Sequence, residues 1–393
     1  MSDELTLAEV ARRAGVTSST LRRWAEGGVI PGYDGTWSPA AAAHARIVAR
    51  LRERGHSLRA IREASDTGRL AFAYTEDLFP REAGPYSLDD AVRESGLEPA
   101  LIERIYAAAG FSAAQLERLN DDDLQLLRYI AAVLAAGFPL VAFLQLVRVY
   151  GQALAQIADA EVRLFHLYVH EPLIRDGVPG LEMAEEMQGL AGELLPLSSP
   201  IMDAMHQRFL SHFVEQDVVG HMEMDLDGAL DLGRLRVSIA FADLAGYTRL
   251  TEELGDELAV DAVERFTDAV ENTLPDDARI VKTIGDEVMI VASDPGGLVD
   301  WAVGFQKLVQ EDRPLPRIGL HFGEVVYRDG DYYGREVNLA ARVVARAAGG
   351  EVLVTRAVVE AAGPHLEFAR IGEVKLKGFS YPTELFLARM VEE

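Results

Sequence analysis

The stretch LRVSIAFADLAGYTRL, residues 235–250, decides the reading of this chain. Its first part is an apolar run closed by Asp243, the pattern of a buried strand. Ala245-Gly246-Tyr247-Thr248 follows and opens a helix, so backbone N–H groups of 244–248 are available to phosphate oxygens. Working outward, 248–254 and 257–273 read as helices. ARIVKTIGDEVMIVAS (278–293) reads as a hairpin with Gly285-Asp286 at its tip, and 295–309 as a helix. RIGLHFGEVVY (317–327) is a strand, 336–348 a helix and EVLVT (351–355) a strand; LEFARIGEVKLKG (366–378) and TELFLARM (383–390) close the region. The order β-α-α-β-β-α-β-α-β-β predicts an α+β sheet covered on one face by helices.

Upstream, the pattern is helical. Residues 7–14 form one short helix, Ser18 or Ser19 caps another through Trp24, and 31–35 (PGYDG) is a loop. A helix over 39–54 is stopped by Gly55, and 58–64 begins the next. The pattern then recurs: TLAEVARRAGVTSSTLRRWA (6–25) matches SLDDAVRESGLEPALIERIY (87–106), and RLRERGHSLRAIREA (50–64) matches AVLAAGFPLVAFLQL (132–146), at offsets of 81 and 82. Two divergent copies of one helical unit explain this. The second copy has exchanged most arginines for apolar residues, which points to a protein-facing surface such as a dimer contact. Residues 107–217 read as all-helical, with a break at LPLSSP (195–200) and one more helix over 201–215. The expected domains are 1–70, 71–200, a transmitter helix or linker at 201–230, and 231–393.

The 393 residues are 49% hydrophobic and 26% charged, which suits buried cores. The absence of cysteine excludes disulfides and thiolate metal sites and fits a reducing compartment, the cytoplasm. The first residues carry acids and no apolar core, so no secretory signal is expected. No uninterrupted apolar run reaches membrane-spanning length; the nearest, 129–149, is broken by Gly-Phe-Pro and reads as an amphipathic helix. Net charge is −25, yet 1–70 hold 11 Arg against 8 acids, so any polyanion contact belongs at the N-terminus.

Asp243 and Asp286 are carboxylates at strand ends, beside Gly246 and Gly285, which let backbone approach a ligand closely. Such oxygen donors suit Mg²⁺ or Mn²⁺. FADLAGYTRL (241–250), VKTIGDEVMI (281–290), RIGLHFGEV (317–325) and DYYGREVNLAAR (331–342) occur in that order, and together they resemble the class III adenylate and guanylate cyclases. The resemblance covers about 160 residues and implies a multidomain protein: an all-α N-terminal regulatory region before an α+β ferredoxin-like catalytic domain.

It further implies a role for each matching position. Asp243 and Asp286 bind two divalent cations, with Leu244 beside them. Lys282 and Asp331 select adenine, with Asp329 a rival two positions from Asp331; guanylate cyclases carry Glu and Cys at the Lys and Asp positions, so the pair favours ATP. Asn338 positions ribose, and Arg342, four residues on along the same helix face, stabilises the transition state. Arg317 and Lys377 hold the triphosphate with Gly246, Tyr247 and Thr248. A chain holding both halves of such a site is expected to form a head-to-tail homodimer with two equivalent sites.

Residues 5–65 resemble the MerR-type helix-turn-helix, in which the second helix enters the major groove. Ser18, Ser19, Arg22 and Arg23 would lie on that helix, while the loop after it keeps little basic wing character. DNA is therefore the weaker partner for this region, and a regulatory small molecule or lipid the stronger. His206, His212 and His221 cluster near the domain junction, where junction packing competes with a proton-sensing role; Met202, Met205, Met222 and Met224 are read as packing. The rival functions are a DNA-binding regulator with a nucleotide-sensing cyclase domain and a guanylate cyclase. IGDEV (284–288) is not the Gly-Gly-acid-acid-Phe hairpin of a diguanylate cyclase.

Overall fold

The computed structural model describes residues 5–30, 33, 36–37, 39–70, 84–177, 180–223, 234–311 and 313–391. Most of the 31–35 loop, Met224 and the end of the 201–230 segment lie outside them. The chain divides into two compact units, Met1–Ser211 and His212–Glu393.

The first unit is built from helices α1 (Leu7–Arg13), α2 (Ser18–Glu26), α3 (Pro39–Glu53), α4 (Leu58–Asp66), α5 (Leu88–Ser95), α6 (Pro99–Ala108), α7 (Asp121–Ala135) and α8 (Leu140–Phe165). Their bounds recur at the spacing of the sequence match. Leu7 to Leu88 and Ser18 to Pro99 are steps of 81, and Pro39 to Asp121 and Leu58 to Leu140 are steps of 82. The isolated bridges Leu5–Trp37 and Tyr86–Leu119 obey the same steps, and both units open on a capping box, at Thr6 and at Ser87. Each repeat buries a core of its own. Leu21, Trp24 and Val48 belong to one, and Ile102, Ile105 and Leu127 to the other. The cap of α2 is Thr17, not Ser18 or Ser19: its Oγ1 accepts from the Thr20 N–H at 3.2 Å.

Of the expectations for the later helices one fails, the break at 195–200; the lack of an uninterrupted apolar run stands, since Arg148, Asp159, Glu161 and Arg163 interrupt 140–175. α8 continues through a π turn (His166–His170) into α9 (Glu171–Arg175), and this stretch, Leu140–Arg175, is long and apolar enough to cross a membrane by length and composition alone. Its first turns nevertheless place Phe143, Leu144 and Val147 in the second repeat's core. The break expected at 195–200 is absent, because α10 runs from Gly180 to Glu223 with Pro196 and Pro200 inside it. A proline removes one N–H and crowds the carbonyl four residues back, which bends a helix without necessarily ending it.

The second unit is an eight-stranded sheet: β1 (Arg234–Leu244), β2 (Ala278–Ile284), β3 (Glu287–Ala292), β4 (Pro316–Arg328), β5 (Asp331–Tyr333), β6 (Val352–Thr355), β7 (Leu366–Val374) and β8 (Thr383–Met390). The order is β2-β3-β1-β4-β6-β8-β7, with β5 on β4. Helices α11 (Tyr247–Leu254), α12 (Asp256–Thr273), α13 (Pro295–Leu308), α14 (Arg335–Val344) and α15 (Arg356–Ala361) cover both faces, not one. Ala240, Ala242, Val288 and Ile290 pack on α12 and α13, whereas Ile239, Phe241, Met289 and Val291 pack with Ala340 and Val344 of α14. The alternate residues of β1 and β3 are apolar in both sets, so each set needs its own cover.

Candidate active site

The α14 face of the sheet carries most of the sequence-predicted residues. β1 alternates, so Asp243 shares the side of Ile239 and Phe241. Its Cα stands opposite Glu287 on β3 and Arg317 on β4. Arg317 donates to Asp243 Oδ2 from Nε at 3.0 Å and from Nη2 at 2.5 Å. The β2–β3 hairpin has a two-residue loop, Gly285 with φ +65° and then Asp286. A positive φ there costs a glycine nothing. The turn holds the Asp286 carboxyl against that of Asp243. Burial, then the hydrogen bond and charge of Asp243, push Asp286 up to about 6. Glu287 is raised as well, by burial first and the two aspartates next, with Arg317 and Arg342 opposing. Among the described residues no group of three acidic or histidine side chains forms a ready cage. The donor set is two crowded carboxylates, and a hard divalent cation relieves the repulsion that otherwise favours a proton. The residues therefore fit such a cation.

Lys282 forms a salt bridge and hydrogen bond to Asp331 Oδ2, and Asp331 Oδ1 accepts from the Tyr332 N–H at 2.8 Å. The irregularity between Ile280 and Lys282 makes this contact possible. Strict alternation from Ile280, which faces α12 and α13, would send Lys282 to the same side; the bulge pairs Lys282 with Met289 and returns it to the α14 face. Asp329, the rival, has φ +53°, and its carboxylate lies 3.9 Å from Arg328.

Asn338 and Arg342 are exposed on α14, whose opposite face buries Leu339, Ala340, Val343 and Val344. Asn338, Arg342 and Lys377 line one cavity of about 780 Å³ with Arg335, Phe379 and Tyr381. Gly246, at φ +82°, caps α11, and Tyr247 and Thr248 form that helix's first turn. The structure thus brings together Asp243, Asp286 and Arg317, then Lys282 with Asp331, then Asn338, Arg342 and Lys377. His206 and His212 are exposed on α10, and the His221 side chain lies outside the described residues.

Two features escaped sequence reasoning. Arg279 donates to the Tyr332 hydroxyl and stacks on Phe213 of α10 at 5.5 Å, which links that helix to the strand carrying Asp331. Buried His321 on β4 pairs with half-buried Glu336 in the first turn of α14. Arg279 and Tyr332 are 53 residues apart and His321 and Glu336 15 apart, so periodicity offered no signal for either.

Residues 234–389 match the adenylate and guanylate cyclase catalytic domain, and residues 27–214 the adenylate cyclase regulatory domain. The pH-sensitive adenylate cyclase MT1302 of Mycobacterium tuberculosis is 30% identical over 89% of this chain and 89% of its own. An adenylate cyclase of Streptomyces griseus is 32% identical over 73% and 69%. The solved adenylyl cyclase CyaB from P. aeruginosa aligns at 22% identity and a TM-score of 0.38, over 41% of this chain and 96% of that one. A catalytic domain of this kind follows a helical regulatory one, and this chain belongs to the class III adenylate cyclases.

Proposed function

We propose that this adenylate cyclase converts ATP to 3′,5′-cyclic AMP and pyrophosphate at two equivalent sites of a head-to-tail homodimer. Asp243, Asp286 and the neighbouring Leu244 hold two divalent cations, Mg²⁺ or Mn²⁺. When bound, they lower the pKa of the ribose 3′-hydroxyl and neutralise phosphoryl charge. Lys282 donates to the adenine ring and Asp331 accepts from its amino group. Asn338 fixes the ribose so that its 3′-oxygen lies in line with the α-phosphorus. Arg342 stabilises the charge that grows as pyrophosphate leaves, and Arg317 and Lys377 with the 246–248 turn bind the triphosphate. Arg317 sits on Asp243, so cations bound at Asp243 would share its carboxylate with that guanidinium or displace it toward the triphosphate.

The observation that carries this reading is the Lys282–Asp331 contact, which a bulge in β2 creates on the face that also bears Asp243. Its test is to incubate the purified protein with Mn²⁺ or Mg²⁺ and either ATP or GTP and to measure cyclic product. Cyclic AMP from ATP is expected; product from GTP alone would replace the adenine assignment with a guanine one. A cyclase of this class has a ferredoxin-like core, and the antiparallel β2-β3-β1-β4 order supports that description here.

For the N-terminal half we infer a regulatory role for two MerR-type helix-turn-helix units, at 1–70 and within 71–200, with α10 as transmitter before the catalytic domain at 231–393. The recurring element bounds and paired bridges support the duplication. DNA as a partner is supported only by exposed Arg22 and Arg23 on α2, whose counterparts in the second repeat are Glu103 and Arg104. A salt-dependent shift of duplex DNA by the full chain would establish it.

A further inference from the structure

His321 lies in the middle of β4, 7% exposed, and faces α14. Its Nδ1 is 2.8 Å from Thr355 Oγ1 on β6. Its Nε2 is 2.6 Å from Glu336 Oε2 in the first turn of α14, a contact close in distance and not ideally aligned, and no other polar atom among the described residues satisfies that nitrogen. The other oxygen of Glu336 lies 3.5 Å from Arg335, whose guanidinium stacks on Phe379 at 5.4 Å. Gly323 leaves the space for this contact: a Cβ there would come within 2.8 Å of His321 Nε2 and 3.0 Å of Glu336 Cγ. A polar pair is costly to bury unless each member satisfies the other. Here that mutual need fixes the rotation and height of α14 on β4, and α14 is the helix that carries Asn338 and Arg342.

We propose that His321 and Glu336 are positioning residues of the cyclase reaction, holding α14 so that Asn338 and Arg342 face the cavity they line with Lys377. The inference rests on the roles given above to Asn338 and Arg342. Neither His321 nor Glu336 touches substrate; both act through the helix. Apolar packing of Leu339, Ala340, Val343 and Val344 holds α14 to the sheet, and apolar contacts tolerate small slides. The pair, with His321 buried and anchored to buried Thr355, does not, and a displacement of about 1 Å at a reacting group costs up to about 10²-fold in rate.

The test uses the full chain and steady-state kinetics with ATP. Glu336→Ala is expected to lower kcat about 10-fold with KM changed less than about 2-fold, and Glu336→Gln, which keeps a hydrogen-bonding partner for His321, to restore most of that loss. In an Arg342→Ala background the same Glu336→Ala change should cost less than it does in the unaltered chain, because one of the two groups it orients is gone. Melting curves accompany each variant. A melting temperature lowered with kcat unchanged, a KM effect without a kcat effect, or full additivity with Arg342→Ala would each overturn the proposal. If Arg342→Ala itself leaves kcat intact, the assignment of Arg342 fails instead.

Discussion

The two units use duplication and precision differently. In the helical unit the same arrangement of elements is built twice, with cores of different residues: Trp24 in the first repeat occupies the place of Ile105 in the second, and Leu21 that of Ile102. Burial itself diverges at some matched positions, as with buried His44 against exposed Leu126. In the catalytic unit single oxygen and nitrogen atoms are held against one another, as with Asp243 and Asp286 or Lys282 and Asp331. The fold of the first unit therefore tolerates exchange of many side chains, whereas the chemistry proposed for the second rests on a few.

Four changes test that contrast, in falling order of effect. Asp243→Asn or Asp286→Asn should lower kcat/KM about 10³-fold or more, because several kcal/mol of cation-dependent stabilisation is lost; cyclic AMP assays at saturating Mn²⁺ read this, and near-normal rates would remove the two aspartates from the cation site. Lys282→Ala should lower kcat/KM for ATP about 10- to 100-fold, the worth of a charge-assisted hydrogen bond, and should narrow the preference for ATP over GTP when both are assayed.

The third change is pH. Asp286 is raised from 3.8 to about 6. A cation must displace its proton, so cation affinity should fall about tenfold per unit as pH drops below about 6, measurable by Mn²⁺ titration at pH 5 and 7. The linked stability has the opposite sense. A carboxyl with a raised folded pKa stabilises the metal-free fold most below 3.8 and loses that contribution as pH rises through about 6. Added Mn²⁺ should recover it at pH 7, seen as a higher melting temperature.

The smallest effect belongs to the helical unit. A Cβ on Gly151 would lie 2.4 Å from the Ala109 carbonyl oxygen, where α8 crosses the end of α6. Gly151→Ala should destabilise that unit by about 1–3 kcal/mol through overpacking. A calorimetric transition for the helical unit should shift down, while kcat/KM changes far less than for the aspartate variants. An equal loss of activity would show that catalysis depends on the helical unit as strictly as on Asp243.

Much of this was legible in the chain. The order of the catalytic unit's elements apart from the short β5 and α15, the hairpin tip at Gly285-Asp286 and the repeat at 81–82 residues follow from local pattern. The break at 195–200 was misread because proline weakens a helix locally, while the rest of α10 carries enough helical hydrogen bonds to continue past it. The single-sided sheet was misread because a strand apolar on both alternating sets does not say which helix covers which side.

By itself the sequence carried the class of chemistry through the resemblance of four ordered motifs, in which Asp243, Asp286, Lys282, Asn338 and Arg342 are the matching positions. Tertiary structure alone decided how those residues meet. The bulge that turns Lys282 toward Asp331, the Arg317 guanidinium seated on Asp243 and the His321–Glu336 pair beneath α14 join positions 49, 74 and 15 residues apart. Contacts of that kind depend on strand register and helix placement, which are set by the packing of the whole sheet and leave no periodic trace in the chain.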